Sequence, residues 1–238
     1  MRKIVAICAR EFWSYFDSPL AYIVVPVFLV LVGAFSLFLQ DVFDGGVASM
    51  RTVFFWSAVF FLLFIPAVTM RLFAEERRTG SIELLVTLPV TESEVVLGKF
   101  LAALGLLAVG VLLTLPYPVT LSMVGDLDWG PVAGGYVGLL LLGASFAAIG
   151  TAASAYTSNQ VIAFLVAVLV SLLPFATGFA LQAVPAPILP LVQYLSFDYH
   201  FNNLARGVID TRNLVFYASI IAVSLQLAVH GLEQRRLT

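Results

Sequence analysis

The sequence predicts an all-α polytopic membrane protein with six transmembrane helices, and three observations carry that prediction. First, 61% of the 238 residues are hydrophobic and only 11% are charged, where a soluble domain carries about 25%; mean hydropathy is +1.02. Second, several apolar runs reach the roughly 20 residues that cross a hydrocarbon core of about 30 Å at about 1.5 Å per residue. Third, the charges are gathered rather than spread. Residues 71–99 (RLFAEERRTGSIELLVTLPVTESEVVLGK) hold Glu75, Glu76, Glu83, Glu92 and Glu94 together with Arg71, Arg77, Arg78 and Lys99, and long apolar runs flank them on both sides. The whole chain, 1–238, reads as one transmembrane domain.

Residues 2–18 repeat apolar side chains at helical spacing (Ile4, Ile7 or Cys8, Phe12, Tyr15 or Phe16), with Arg2, Lys3, Arg10, Glu11, Ser14 and Asp17 mostly on the other side. Basic residues with Trp13 and Tyr15 suit an interfacial helix lying in the headgroup layer. Pro19 breaks it, and residues 20–39 form the first span. Residues 40–51 make a polar loop turning at Gly45 and Gly46, and Phe-rich residues 53–70 form the second span. The third span, from residue 100 to about 124, is interrupted at Thr114-Leu115-Pro116-Tyr117-Pro118, where two prolines remove backbone donors and kink the helix. A loop at 125–130 carries Asp126 and Asp128. The fourth span, about 132–156, has small residues four apart, Gly134 and Gly138, then Ala144, Ala148 and Ala152. Such a face lets two helices approach closely; packing inside one subunit is the expectation, with a dimer seam as the alternative. Residues 157–160 (TSNQ) are a capped polar turn, and residues 161–183 the fifth span. Residues 184–213 are too apolar for a plain loop and too broken by Pro185, Pro187 and Pro190 for a span; short re-entrant or interfacial helices packed on protein fit them. Residues 214–232 form the sixth span.

Six spans put both termini on one side, and charge identifies it. The terminal side collects nine Lys/Arg (Arg2, Lys3, Arg10, Arg71, Arg77, Arg78, Lys99, Arg235, Arg236) and the other side three (Arg51, Arg206, Arg212). The positive-inside rule then assigns both termini and residues 71–99 to the cytoplasm.

Several chemistries are missing. Net charge is −2, which offers no field for nucleic acid. One cysteine, Cys8, excludes an intrachain disulfide and a multi-cysteine metal site. No signal peptide is expected, because Arg10, Glu11 and Asp17 interrupt the first nineteen residues. No proposed span contains an Asp, Glu, Lys or Arg, which argues against an ion-coupled carrier. Gly98-Lys99 resembles the end of a phosphate-binding loop, but Ser93 and Phe100 stand where Gly and Ser or Thr are required, so no catalytic or nucleotide site is expected here. In the external segment His200 lies beside Asp198; that pairing is set against a solvated or capping role for His200. Arg206 and Asp210 are the other charged candidates there.

Residues 71–99 read as two short helices and a helix start. One runs from 71 to 79 and stops at Gly80. A second covers 81–88, apolar at Ile82, Leu84 and Leu85, with Glu83 among them, and ends at Pro89. Thr91-Glu92-Ser93-Glu94 is a capping box opening the third span, with Lys99 snorkelling at its membrane boundary. An apolar patch beside paired acids, on a segment too short for a core of its own, points to docking.

At these residues the sequence resembles a known family. Met70-Arg71, then Phe73-Ala74-Glu75-Glu76-Arg77-Arg78-Thr79-Gly80-Ser81-Ile82-Glu83-Leu84-Leu85, then Thr87-Leu88-Pro89-Val90 and Leu97-Gly98-Lys99, are similar to the membrane subunit of ABC-2 type ATP-binding-cassette transporters. They are closer still to the branch that includes the gliding-motility permease. Shorter similarities fall at Gly125-Asp126, Thr157-Ser158-Asn159-Gln160, His200-Phe201 and 206–210 (RGVID). The resemblance implies six spans, an N-terminal interfacial helix, a cytoplasmic coupling helix within 71–90 and re-entrant helices before the last span. It also implies two copies of a cytoplasmic ABC ATPase subunit, which would hold ATP and Mg, and a second copy of the permease or a paralogue. Gliding-type systems often add a permease-like subunit with a large external domain; this chain lacks such a domain and would be the plain subunit. Arg71, Glu75, Glu76, Arg77, Gly80, Ile82, Glu83, Leu84 and Leu85 are the expected ATPase-coupling residues. The competing expectation is a force-transmitting or scaffold subunit acting on an external partner.

Overall fold

A computed structural model of the chain describes residues 2–36, 49–81, 90–180, 185, 187–208 and 210–236. The expected Gly45–Gly46 turn, the end of the first span and the apolar helix at 82–88 lie outside these residues. Among them the chain is all-α: α1 Arg2–Asp17, α2 Pro19–Ala34, α3 Arg51–Thr69, α4 Arg71–Thr79, α5 Glu92–Leu112, α6 Pro116–Val124, α7 Trp129–Tyr156, α8 Gln160–Ala180, α9 Leu189–Leu195, α10 Phe197–Ala205 and α11 Thr211–Arg236. Five helical stretches are long and apolar enough to cross a membrane: α3 with α4, α5 with α6, α7, α8 and α11. The α1–α2 pair, bent by 76°, makes up to six.

The breaks have local causes. Pro19 occupies the first turn of α2, and Ser18 before it is extended (φ −101°, ψ 157°), as a residue preceding proline must be. Between α5 and α6 the helix opens into a turn at 113–115 and resumes at Pro116. Thr114 Oγ1 donates to the Val111 carbonyl (2.6 Å), and Tyr117 Oη donates to the Leu29 carbonyl of α2 (2.9 Å), so the break is anchored. Thr91 and Glu94 form the reciprocal capping box that starts α5. Asn159 Oδ1 accepts from the Val161 and Ile162 amides at the start of α8.

The interior is built on α7, which packs against α3, α4, α5, α8, α10 and α11. Its small face serves packing within the chain. A Cβ added at Gly134 would collide with the Leu204 carbonyl, and one at Gly138 would lie 3.2 Å from the Phe201 ring. One apolar cluster gathers aromatic side chains of α2, α3, α7, α10 and α11 around Phe54, Phe146, Phe197 and Tyr217. A second joins α1, α4 and α5 through Tyr15, Leu72, Phe73, Val95 and Val96.

That second cluster changes the reading of α1. Its apolar stripe lies on α5, not only on lipid. At Gly98 of α5 an added Cβ would come within 2.7 Å of Ile7 and 3.2 Å of the Ile4 carbonyl. Glu11 also differs from expectation. It falls on the stripe Ile4, Cys8, Glu11, Tyr15, the i, i+4, i+7 register of one helix face, and faces inward.

Candidate functional site

The first part of the charged segment, α4, folds back against its own protein. Helix α4 follows α3 after a single turn residue, Met70, and Ser154 near the end of α7 fixes that joint. Buried Ser154 Oγ accepts from the Phe73 and Ala74 amides (3.0 Å each) and donates to the Met70 carbonyl (2.9 Å). The first amides of a helix have no partner inside it, so one hydroxyl satisfies two of them together with the carbonyl at the corner. At the other end Gly80 takes the left-handed conformation (φ 73°) and closes α4, as its permissive backbone allows.

Lys99, on α5, is the centre of the junction. Its side chain is 1% exposed, and Nζ donates to Glu76 Oε1 (2.8 Å), to the Leu72 carbonyl (2.8 Å) and to Glu11 Oε1 (3.1 Å). The Phe73 ring lies 5.2 Å from Nζ. The expected snorkelling at a membrane boundary is therefore wrong: the ammonium turns inward, because two carboxylates and a carbonyl offer it more than the headgroup layer does. Lys99 sits on the buried stripe Val95, Lys99, Ala102, Leu106 of its helix.

The candidate coupling residues divide by where they point. Arg71 reaches α1, with its guanidinium 5.1 Å from the Tyr15 ring centroid and Nη2 donating to Ser18 Oγ (3.4 Å). Arg77 Nη2 donates to the Gly231 carbonyl of α11 (3.1 Å). Glu76 belongs to Lys99. Glu75, Arg78, Thr79 and Gly80 are exposed, and Glu75 makes no ion pair among the described residues. Ile82, Glu83, Leu84 and Leu85 lie outside the described residues. A polar cleft of about 280 Å³ separates α1 from α4, with Glu11, Tyr15, Arg71, Glu75, Glu76 and Lys99 on its walls.

Burial raises the Glu76 carboxyl above the ordinary carboxylate range, and the adjacent Lys99 recovers only part of that shift. The order is physical: removing a charge from water costs more than one partner returns. At the α5 cap the opposite holds. The Thr91 amide donates to exposed Glu94 and lowers its pKa.

The four candidates of the other charged set do not converge. His200 is 1% exposed, with Nδ1 2.8 Å from Asn213 Oδ1, Nε2 2.9 Å from the Tyr194 carbonyl, and its ring stacked on Phe216 at 4.1 Å. This corrects the pairing with Asp198 and the solvated role, because the aromatic contacts of α10 and α11 draw it inward; the capping role stands, since Tyr194 lies in the last turn of α9. Asp198 packs against Gly178 of α8. Asp210 Oδ1 accepts from the Arg212 amide at the start of α11 (2.9 Å). Exposed Arg206 lines a separate cavity with Arg51, Asp126 and Asp128. No group of three His, Cys, Asp or Glu among the described residues could hold a metal ion.

Sequence reasoning missed Lys99, Glu11 and Ser154 as parts of the junction. The signal for the first two was present: an acid and a base, each in register with the buried stripe of its own helix. Ser154 carried none, being one small residue among many.

The family described as ABC-2 family transporter protein matches residues 43–230 of the chain. No curated protein matches it.

Proposed function

The chain belongs to the ABC-2 family of transporter proteins, and on that premise we propose that it is the permease subunit of an ATP-binding-cassette exporter. It works in the cytoplasmic membrane of a prokaryote with both termini cytoplasmic, paired with a second copy or a paralogue. Two copies of a separate ATPase subunit bind and hydrolyse ATP with Mg. The specific block at 70–90 favours the gliding-motility-like branch. In this reading α4 and the residues after it are the coupling element, α1 is the interfacial helix, and α9 and α10 are the external segment before the last span.

The observation that carries the proposal is the attachment of α4. A coupling element must touch a soluble partner on one face and the spans on the other, and it must do so stiffly, because each state of the partner acts only through a differential contact. Exposed Glu75 and Arg78 mark the outward face of α4. Arg71, Glu76 and Arg77 bind it inward to α1, α5 and α11, and Ser154 binds it to α7. Glu75 and Glu83 would meet the ATPase directly, with Ile82, Leu84 and Leu85 in its groove. Arg71, Glu76, Arg77 and Gly80 would pass the displacement on.

Isolation of the chain from native membranes in mild detergent tests this. An ATPase chain carrying a phosphate-binding loop is expected to co-purify, and Glu75→Arg with Glu83→Arg should release it while the helical content of the permease is kept. Absence of an ATPase from the intact complex, or its full retention by the double variant, would overturn the assignment.

A further inference from the structure

We infer that Lys99 is a positioning residue that makes α1 part of the force-transmitting train, so that displacement of α4 is delivered to the α1–α2 corner at Ser18. The inference rests on the reading of α4 as the coupling element and goes beyond it by naming the path and the hinge.

An ammonium has three N–H donors and no acceptor. Lys99 spends all three, two on α4 (Glu76 Oε1 and the Leu72 carbonyl) and one on α1 (Glu11 Oε1). Withdrawal of α4 alone would strip a fully buried ammonium of two of its acceptors and leave it with one carboxylate, which burial forbids. Helices α1 and α5 are already tied without it, through Ile7 on Gly98 and Phe12 on Gly105. What the lysine adds is α4. It thereby turns two packed helices and a neighbour into one body of three.

Arg71 makes a second attachment between the same elements and shows where the body ends. It lies over Tyr15 and donates to Ser18 Oγ, and Ser18 is the extended residue at which α1 turns 76° into α2. At the far side of the body, α5 ends in the turn at 113–115. Helices α7 and α11, held to α4 by Ser154 and Arg77, move with this body, so its motion relative to α2 and α6 is taken up at these two breaks, and the first of them sets the tilt of α2.

A reversible lock on the corner tests the path. The Phe16 and Tyr22 rings meet across it, with centroids 6.1 Å apart, so a Phe16→Cys/Tyr22→Cys pair in a Cys8→Ser background, once thiol titration shows that oxidation has joined it, would immobilise α1 against α2. In the purified complex with its ATPase, oxidation is expected to lower ATP turnover at least about tenfold, within the usual range of coupling between sites, and reductant should restore it. With Lys99→Met added, the same disulfide should leave turnover within about twofold of the reduced form, because α4 then holds α1 only through the 3.4 Å Arg71–Ser18 bond and the Tyr15 ring; Lys99→Arg should restore the inhibition. A residue that only stabilised the fold would alter turnover equally in the oxidised and reduced forms. Should Lys99→Met fail to assemble, Glu11→Leu, which removes the α1 acceptor and keeps both α4 contacts, is expected to relieve the lock in part. A disulfide harmless in the Lys99 parent, or equally inhibitory in Lys99→Met or in Glu11→Leu, would overturn the inference. A complex that lacks an ATPase would instead overturn the functional reading beneath it.

Discussion

The two ends of α7 solve the same packing problem with different chemistry. Near its C-terminal end Ser154 holds α4, and beside that contact sits a buried ammonium with two carboxylates. Twenty residues earlier, roughly 30 Å along the helix, Gly134 and Gly138 admit α10, and the polar groups there, His200 and Asn213, carry no carboxylate partner. The α10 end is joined by shape and stacked rings, whose strength decays within van der Waals range. The α4 end is joined by charge, which acts over longer distances and resists separation of any one member. A fold that needed only stability would have no use for the ionic version, since apolar packing of similar volume is as stable or more so. Under the proposed coupling role, the ionic joint is what would let the α4 end move as a unit.

Variants can break or sharpen that contrast. The largest effect is expected at Ser154→Ala, which strips two amides and a carbonyl of their partner. At about 1–3 kcal/mol for each unsatisfied buried group, partly recovered by relaxation, roughly 2–4 kcal/mol should be lost, read as a lower unfolding midpoint in detergent together with loss of the co-purifying ATPase. At the other end Gly134→Val forces a side chain into the Leu204 carbonyl and the Gly207 backbone. Overpacking of this kind costs about 1–3 kcal/mol, and the midpoint should fall without loss of the ATPase. His200→Leu keeps the volume and leaves Asn213 and the Tyr194 carbonyl without their partner, a loss of about 1–2 kcal/mol, again with the ATPase retained. If either α10-end variant releases the ATPase, the two ends are not functionally distinct.

The smallest effect concerns pH. Because burial raises the Glu76 carboxyl above its unfolded value of 4.5, the native state binds more protons than the unfolded state between the ordinary and the raised pKa. Stability contributed by this group therefore falls as pH rises through that window. Glu76→Gln should flatten this part of the unfolding midpoint's pH profile; an unchanged slope would show that the carboxyl is not titrating there.

Much of the fold was legible because its causes are local. Pro19, the Thr114–Pro118 break, the Gly80 stop, the Thr91–Glu94 box and the Asn159 cap each depend on a few neighbouring residues, and each stands in the structure at the residues predicted. The long apolar helices followed from apolar runs in the same way, five among the described residues and up to six with the bent α1–α2 pair. The junction was less legible because its contacts are distant in sequence. Lys99 meets Glu11 across 88 positions, and Ser154 meets Phe73 across 81. Charge alone suggested that Lys99 would seek the headgroup layer. Only the stripe register of Glu11 and Lys99 pointed inward, and it required pairing two helices before either contact was known. For His200 the deciding factor was the aromatic cluster of Tyr194, Phe216 and Tyr217, whose members come from different helices.

The central claim, that the α4 end meets a cytoplasmic ATPase and the α10 end does not, is tested most directly by photo-crosslinking. A photoreactive residue is placed at exposed Glu75 of α4 or at exposed Trp129 at the start of α7, in cells that make the intact complex, and the adducts are identified by mass spectrometry. The account predicts an ATPase adduct from position 75 and none from position 129. An ATPase adduct from position 129, or none from position 75 in a complex that still contains the ATPase, would contradict it.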